Sequence, residues 1–153
     1  SPERLRDAFA GFPGLLPRSW ASWLERLRVL DFTPVHGFLR GFIDLVFAHD
    51  NRFYLVDWKS NHLGSDPADY RHDRLREVML HERYTLQYLL YTVALHHYLA
   101  GRMAHYRYEE HFGGLFYIFL RGVSQEHGPA CGIYHDRPEA RLVEQLGRVL
   151  VAV

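Results

Sequence analysis

The chain has 153 residues, of which 48% are hydrophobic, 24% charged and 15% aromatic, a composition typical of one folded globular domain. Its formal net charge is zero with neutral histidines, which counts against tight, purely electrostatic binding to nucleic acid. The one cysteine, Cys131, excludes a disulfide framework and predicts a reducing, cytoplasmic environment. No apolar run approaches the roughly 20 residues that a membrane span requires, and no signal peptide is recognisable, so we expect no membrane partner.

The first part of the chain predicts a Gly- and Pro-rich lead-in followed by one helix. From Ser19 onward the apolar residues recur with the spacing of an amphipathic helix, which Pro34 ends. The residues of this apolar stripe are Trp20, Trp23, Leu24, Leu27 and Leu30. We therefore divide the chain into a lead-in segment, residues 1–34, and a core, residues 35–153.

Two stretches rich in aromatic and β-branched residues, Phe38–Ala48 and Phe53–Lys59, predict a β-hairpin. The polar residues 49–52 between them are typical of a turn. With a four-residue loop, the register of the hairpin places Asp44 directly opposite Asp57. A five-residue loop would send the two carboxylates to opposite faces of the sheet, so the turn length decides whether they can cooperate.

Two helices are predicted after the hairpin. Asp66 before Pro67 indicates a helix start, and a charged helix then extends to about Leu80. A second helix is predicted from about Thr85 to Ala100, where the following Gly101 would end it. Its expected buried face consists of Leu86, Leu89, Leu90, Val93 and His97.

The last third of the chain predicts two strands and a helix. The apolar run Leu115–Leu120 is typical of a central strand covered on both faces, and a short strand near Gly132–Tyr134 follows it. A final helix is expected from about Pro138, with Leu142, Val143, Leu146 and Val149 buried. Strands interleaved with helices predict an α/β fold with a mixed central β-sheet flanked by helices.

The residues that carry chemistry are polar side chains at positions where apolar ones would be expected. Period-2 alternation places Asp57 and Lys59 on one face of the second strand and Trp58 on the other. Asp44 is predicted inside an apolar strand, where a carboxylate is costly unless it is paired or bound to a metal. Two carboxylates select a hard cation such as Mg²⁺, and a lysine beside them suits an attacking water and developing charge on phosphorus. The alternative is a structural ion pair between Asp57 and Lys59.

These residues resemble the PD-(D/E)XK nuclease motif, in which Asp44 precedes Asp57-Trp58-Lys59 and Ile43 replaces the proline. Gln87 and Tyr91 match the QxxxY helix motif of the RecB-type branch, and their spacing places them on one helix face. Three further segments that resemble the nuclease domains of this branch are 41–47, 57–64 and 111–122. The likeness extends from about residue 38 to the last helix and is weak before residue 34.

The resemblance implies a restriction-endonuclease-like α/β core and a Mg²⁺-dependent deoxyribonuclease, an exonuclease or endonuclease of DNA end processing and recombinational double-strand break repair. By resemblance, the site consists of Asp44, Asp57 and the Trp58 backbone carbonyl for the metal, Lys59 for the attacking water, and Gln87 and Tyr91 for orienting the site or holding DNA.

The family also takes a histidine ligand from a helix far upstream of the hairpin. No part of residues 1–34 matches that segment, and His36 stands too close to the strand to replace it. The sequence therefore predicts a truncated nuclease core whose metal site is incomplete and whose isolated activity is weak.

Two functions stay open at this point. One is a nuclease that acts on single-stranded DNA or duplex ends, joined to a helicase motor and to RecC-like and RecD-like subunits. The other is a catalytically weak interaction module that helps load the RecA recombinase, through the helix at 66–80 or the last helix. A zinc site is not expected from the eleven histidines, because one cysteine and no HExxH pattern are present. The tyrosines at 84, 88 and 98 are expected to pack rather than stack on bases.

Overall fold

The structure is a computed structural model that describes residues 41–150. It divides into two compact units, one formed by Phe42–Pro138 and a second that includes the chain from Glu139 onward. The predicted lead-in, the helix expected after Ser19 and the beginning of the first predicted strand lie outside the described residues.

Strands β1 (Leu45–His49) and β2 (Arg52–Lys59) form the predicted antiparallel hairpin in the predicted register. The loop contains two residues, Asp50 and Asn51, instead of the expected four, because one further pair forms on the turn side of the ladder. Both loop residues have positive φ angles, 47° and 61°. Consecutive positive φ angles are the mark of the type I′ turn, which aspartate and asparagine tolerate and which matches the twist of the strands.

The first strand is shorter than the sequence predicted, and it begins after Asp44 rather than before it. Asp44 lies in a bend, with its side chain exposed, and β1 itself is exposed along its whole length. The expectation of a carboxylate inside a buried apolar strand is therefore wrong. Within residues 41–150, β1 lies at the edge of the sheet, and its apolar side chains are in contact with solvent instead of forming a core.

Within residues 41–150, four strands form one sheet in the order β1-β2-β3-β4, where β3 is Phe112–Phe119 and β4 is Ile133–Asp136. Strands β2 and β3 are parallel, and the two outer pairs are antiparallel, so the sheet is mixed as predicted. A parallel pair requires a long crossover, which residues 60–111 provide. The carboxyl ends of the two inner strands consequently lie side by side.

The crossover begins with a short 3₁₀ helix, Pro67–Tyr70, for which Asp66 forms the predicted cap. The single helix expected here is interrupted at Arg71, which has extended backbone and bridges to Cys131. Helix α1 then covers His72–His81. The break exists because one residue of this segment joins a β-bridge, a long-range pairing that local sequence does not reveal.

Helix α2 covers Tyr84–Arg102, and Gly101 lies inside it instead of ending it. Its buried side is rotated from the predicted stripe, since His97 is exposed whereas three polar or aromatic residues are buried. The buried residues of α2 are Thr85, Tyr88, Leu89, Thr92, Val93, Leu95 and Leu99. A single helical turn, α3 (Tyr108–His111), leads directly into β3.

The core of the first unit lies between α1, α2 and one face of the sheet. Rings of α2 contact rings of the sheet, for example Tyr88 with Tyr117 at 6.1 Å and with Tyr134 at 6.4 Å between ring centroids. The largest fully buried apolar side chains of the three layers are Tyr117, Phe112, Phe119, Leu75, Met79, Leu89 and Leu115. This arrangement makes α2 the element that covers the carboxyl end of β2.

The second unit contains helix α4 (Ala140–Leu150), close to the predicted start. Its buried residues are Leu142, Val143, Leu146 and Gly147, so three of the four predicted positions are correct and Val149 is half-buried instead. In the part of the chain that the structure describes, no helix is both long and apolar enough to cross a membrane.

Candidate active site

The candidate site lies at the carboxyl end of β2, beneath α2. Asp57 and Lys59 point to the same face, as predicted, and their side chains are only 7% and 11% exposed. Trp58 between them points to the opposite face and is 45% exposed. Burial of two opposite charges side by side is costly unless their polar atoms find partners, so the contacts of these two side chains are informative.

The ammonium group of Lys59 has two oxygen partners. Its Nζ lies 2.5 Å from Oδ2 of Asp57 and donates a second hydrogen bond of 3.0 Å to Oε1 of Gln87. Gln87 lies on α2, so these contacts join the end of β2 to the helix that covers it. Lys59 belongs to the Asp57-Trp58-Lys59 motif and Gln87 to the QxxxY motif, and the structure brings the two side chains into direct contact.

Gln87 stands in a chain of hydrogen bonds that fixes both ends of its amide. Its Nε2 donates to the Tyr91 hydroxyl at 3.1 Å, one helical turn along α2. Its Oε1 also accepts a 3.0 Å bond from the hydroxyl of Tyr117 on β3. Burial raises the pKa of Tyr117 far above its usual range, and the negative charge of Asp57 raises it further. Tyr117 therefore stays a protonated donor at neutral pH.

Asp44 reaches the site from the bend before β1. Its Oδ2 accepts a 2.9 Å hydrogen bond from the backbone N–H of Trp58, the residue between Asp57 and Lys59. Asp44 is thus not a rung of the ladder opposite Asp57, although the register of the hairpin continues toward that pairing. A hydrogen bond from the Trp58 backbone to the Asp44 side chain joins the bend to β2.

The two carboxylates influence each other electrostatically. Burial raises the pKa of Asp57 above its ordinary value of 3.8, and the hydrogen bond and positive charge of Lys59 lower it. The negative charge of Asp44 raises the pKa further, and the net shift is upward. A cation beside both carboxylates would oppose these effects, because it favours the charged form of a carboxyl group.

The oxygen atoms that remain suit a hard cation. Within residues 41–150, Oδ1 of Asp44 and Oδ1 of Asp57 have no hydrogen-bond partner. Mg²⁺ binds to proteins through one or two carboxylates and keeps several waters. The same part of the chain has no group of three or more His, Cys, Asp or Glu side chains arranged for a metal ion. The two carboxylates therefore offer a hard cation two protein oxygens, and such a cation would keep several waters.

The sequence motifs did not identify two aromatic neighbours of Lys59, and one compositional signal that pointed to Lys59 was also missed. The rings of Tyr84 and Tyr117 both lie beside the ammonium group. Tyr84 was expected only to pack, and Tyr117 was considered only as part of an apolar strand. The missed signal is compositional, because Lys59 is the single lysine of the chain, whereas arginine occurs 17 times. A chain that uses arginine elsewhere keeps its one lysine in a buried site.

Known proteins of similar sequence indicate the family of the chain. The chain is 55% identical over 114 residues to "RecBCD enzyme subunit RecB" of Escherichia coli (strain K12), a match that covers 74% of this chain and 10% of that protein. It is 50% identical over 120 residues to the protein of the same name from Haemophilus influenzae, covering 78% of this chain and 10% of the relative. The chain thus spans about a tenth of the length of these relatives. The sequence profile of the PD-(D/E)XK nuclease superfamily matches residues 7–152. Because this match covers nearly the whole chain and the sheet is mixed with helices beside it, the chain belongs to the PD-(D/E)XK nuclease superfamily.

Proposed function

We propose that this chain is the core of a Mg²⁺-dependent deoxyribonuclease that hydrolyses phosphodiester bonds in DNA. The observation that carries the proposal is the single lysine of the chain, whose ammonium group contacts both Asp57 and Gln87. The residue before it, Trp58, donates its backbone N–H to the Asp44 carboxylate. A merely structural ion pair would not need a lysine that also donates to an amide oxygen, nor a second carboxylate whose charge acts on Asp57.

Asp44, Asp57 and the backbone carbonyl of Trp58 would hold the metal. When bound, Mg²⁺ supplies positive charge for the phosphate oxygens and lowers the pKa of a coordinated water. Two carboxylates of unlike exposure contribute to this in different ways. Asp57 is buried, whereas Asp44 is exposed and accepts a hydrogen bond from the backbone of β2.

Lys59 would orient water and stabilise the phosphate charge. An ammonium group has three N–H bonds and no acceptor, and two of them point to Asp57 and Gln87. Among the described residues no third oxygen accepts from it, so one N–H bond is left for a water molecule or a phosphate oxygen. A preorganised donor of this kind, aimed where charge develops, accelerates the reaction because it requires no reorganisation.

Gln87 and Tyr91 would orient the Lys59 side chain instead of binding DNA. The amide oxygen of Gln87 accepts from Lys59, and its amide nitrogen donates to the Tyr91 hydroxyl. An amide engaged at both ends keeps the acceptor oxygen toward the lysine and the donor nitrogen away from it. The QxxxY pair is therefore assigned the task of orienting the site, which was one of its two expected roles.

The names of the relatives support a proposal for the substrate and the partners. The chain has zero net charge, so it lacks the basic excess that would hold DNA tightly by itself. The relatives are named as a subunit of the RecBCD enzyme. We therefore propose that this chain belongs to a larger helicase–nuclease, with RecC-like and RecD-like subunits that deliver single-stranded DNA or duplex ends. A chain that does not cleave DNA would instead favour the interaction module that helps load RecA.

The test is degradation of single-stranded DNA by the chain with Mg²⁺, compared with the Asp57→Ala variant. Asp73 is an exposed acidic residue in the first turn of α1, and Asp73→Ala serves as the control. Cleavage by the wild-type and Asp73→Ala chains that disappears in Asp57→Ala and on chelation of Mg²⁺ supports the proposal. Equal cleavage by the wild-type and Asp57→Ala chains contradicts it.

A further inference from the structure

The ammonium group of Lys59 lies between two aromatic rings as well as against two oxygens. Its Nζ is 3.9 Å from the centroid of the Tyr84 ring and 4.9 Å from the centroid of the Tyr117 ring. The face of an aromatic ring attracts a cation within about 6 Å of its centroid. We call the four groups around Nζ the lysine cage, which consists of Tyr84, Tyr117, Asp57 and Gln87.

Each ring of the lysine cage is held at its hydroxyl end. The Tyr84 hydroxyl donates to Oδ1 of Asn61 at 3.1 Å, and the Tyr117 hydroxyl donates to Oε1 of Gln87 at 3.0 Å. The two rings also contact each other, with 5.9 Å between their centroids. The hydrogen bonds at the hydroxyls and the contact between the rings restrain both rings independently of Lys59.

The start of α2 sets the position of Tyr84. Arg83, the residue before the helix, has a φ of 61°, a left-handed conformation that costs a non-glycine residue energy and persists only where the surroundings require it. Its carbonyl accepts the first helical bonds, from the N–H groups of Leu86 and Gln87. Tyr84 and Gln87 are three residues apart, so they lie on the same side of the helix. One helical turn therefore supplies two sides of the lysine cage.

The rings suit a task that oxygens alone cannot perform. A lysine side chain has a flexible four-carbon stem, and its head is a point charge with three donors. A third oxygen would occupy the last N–H bond, whereas a ring face attracts the charge and leaves that N–H bond available. We propose that Tyr84 and Tyr117 are positioning residues, which hold the Lys59 ammonium in place for the reaction. This inference rests on the proposed function.

The kinetic test compares variants of Tyr84 with a matched tyrosine of the same helix. Tyr84→Leu is expected to lower kcat by about 10- to 100-fold, with the KM for DNA and the Mg²⁺ dependence unchanged, because displacement of a catalytic group by about an ångström has effects of this size. Tyr84→Phe keeps the ring and should restore most of the rate. Tyr98 is 58% exposed on α2, and Tyr98→Leu should cleave like the wild type.

A second readout does not depend on cleavage. Because Lys59 is the single lysine, a chain labelled with ¹³C at the lysine ε-carbon has one lysine side-chain signal in its NMR spectrum. Ring currents should shift the attached protons upfield in the wild type and in Tyr84→Phe. In Tyr84→Leu the signal should move toward the position of free lysine. An unshifted wild-type signal, or a signal that Tyr84→Leu leaves in place, overturns the inference.

The two proposals fail in different ways. If Lys59→Ala cleaves DNA as fast as the wild type, the role given to Lys59 in the proposed function is wrong, and the positioning role is wrong with it. If Lys59→Ala is inactive and Tyr84→Leu is fully active, the proposed function survives and the positioning role of the ring is overturned. Tyr84→Phe keeps this comparison available if the leucine variant does not fold.

Discussion

The Oδ2 atom of Asp44 lies 2.9 Å from the backbone nitrogen of Trp58 and accepts its hydrogen bond. Asp44 belongs to a bend and not to a strand, and among the described residues this bond ties its carboxylate to β2. The bond leaves the other carboxylate oxygen available and places a negative charge beside the Asp57–Lys59 pair. Anchoring and charge are therefore separate properties of the same side chain, and substitutions can separate them.

Asp44→Asn and Asp44→Ala are expected to differ. Asparagine keeps an oxygen that accepts from the Trp58 N–H, whereas alanine removes both the acceptor and the charge. We expect both variants to bind Mg²⁺ at least about tenfold more weakly, since even supporting residues of a metal site contribute 10–100-fold. Only the alanine variant should also loosen the bend, measured as faster amide exchange at Trp58. Equal exchange in the two variants would show that the hydrogen bond does not hold Asp44.

Asp57→Asn is expected to stabilise the metal-free protein at neutral pH. The pKa of Asp57 is raised by burial, and the attraction of Lys59 only partly opposes this effect. The folded state therefore holds the carboxyl proton more tightly than the unfolded chain does. Its contribution to stability is present below the unfolded pKa and is lost as the pH rises through the folded pKa. A neutral asparagine avoids this loss. Thermal unfolding without metal should give a higher Tm for Asp57→Asn at pH 7, and the difference should shrink as the pH falls toward 4. A lower Tm at pH 7 would show that the Lys59 pair outweighs the burial.

Lys59→Arg is expected to be nearly as inactive as Lys59→Ala. The ammonium lies between two rings and two oxygens in a space that leaves the side chain 11% exposed, and a planar guanidinium has a different shape and donor geometry. Both variants should lose roughly 10²–10³-fold in kcat, the usual effect of removing a donor to the developing charge. Their Mg²⁺ affinity, measured by calorimetry, should stay near the wild-type value because lysine is not a ligand. An active arginine variant would show that any cation suffices at this position.

The hairpin and the site were predictable to different degrees. The hairpin followed from strand composition and turn residues, and the mixed sheet from strands interleaved with helices. The register depended on an assumed loop of four residues, and the observed register is the same although the loop has two. The position of Asp44 did not follow from the sequence, because an edge strand exposes apolar residues that a sequence pattern assigns to a core. The break at Arg71 depends on a bridge to Cys131, a residue 60 positions away. Pairings of that kind are absent from any local pattern.

The contacts of Lys59 show the same limit. The motifs grouped Asp57, Lys59 and Gln87 by resemblance, but spacing alone could not state that the lysine and the glutamine are hydrogen-bonded. Tyr84 matched no motif, and its approach to Lys59 depends on the left-handed residue before α2. Only the lysine count in the composition pointed to the same side chain without structural knowledge. The roles of these residues in cleavage remain predictions that the variants above test.

The last prediction concerns two threonines of α2 that are buried to the same degree. Within residues 41–150, the Thr92 hydroxyl is the one buried side-chain oxygen without a hydrogen-bond partner, whereas the Thr85 hydroxyl donates to the carbonyl of Met79 at 3.2 Å. A buried hydroxyl with no partner costs free energy, and valine has nearly the same shape without that group. Thr92→Val should therefore raise the free energy of unfolding by about 1 kcal/mol.

Thr85→Val is the matched control, because it makes the same chemical change at a hydroxyl that has a partner. It should lower the free energy of unfolding by about 1 kcal/mol or more, since the Met79 carbonyl loses its side-chain donor in a buried place. Urea unfolding of the three proteins at one pH gives both differences in unfolding free energy. An unchanged dependence of that free energy on urea concentration shows that the variants unfold from a comparable folded state. Helix propensity and side-chain volume change equally in the two variants. The presence or absence of a hydrogen-bond partner therefore decides the sign of each change, and opposite signs are expected. If Thr92→Val were destabilising like Thr85→Val, the Thr92 hydroxyl would have a partner in solution, and the packing of this face of α2 would have to be revised.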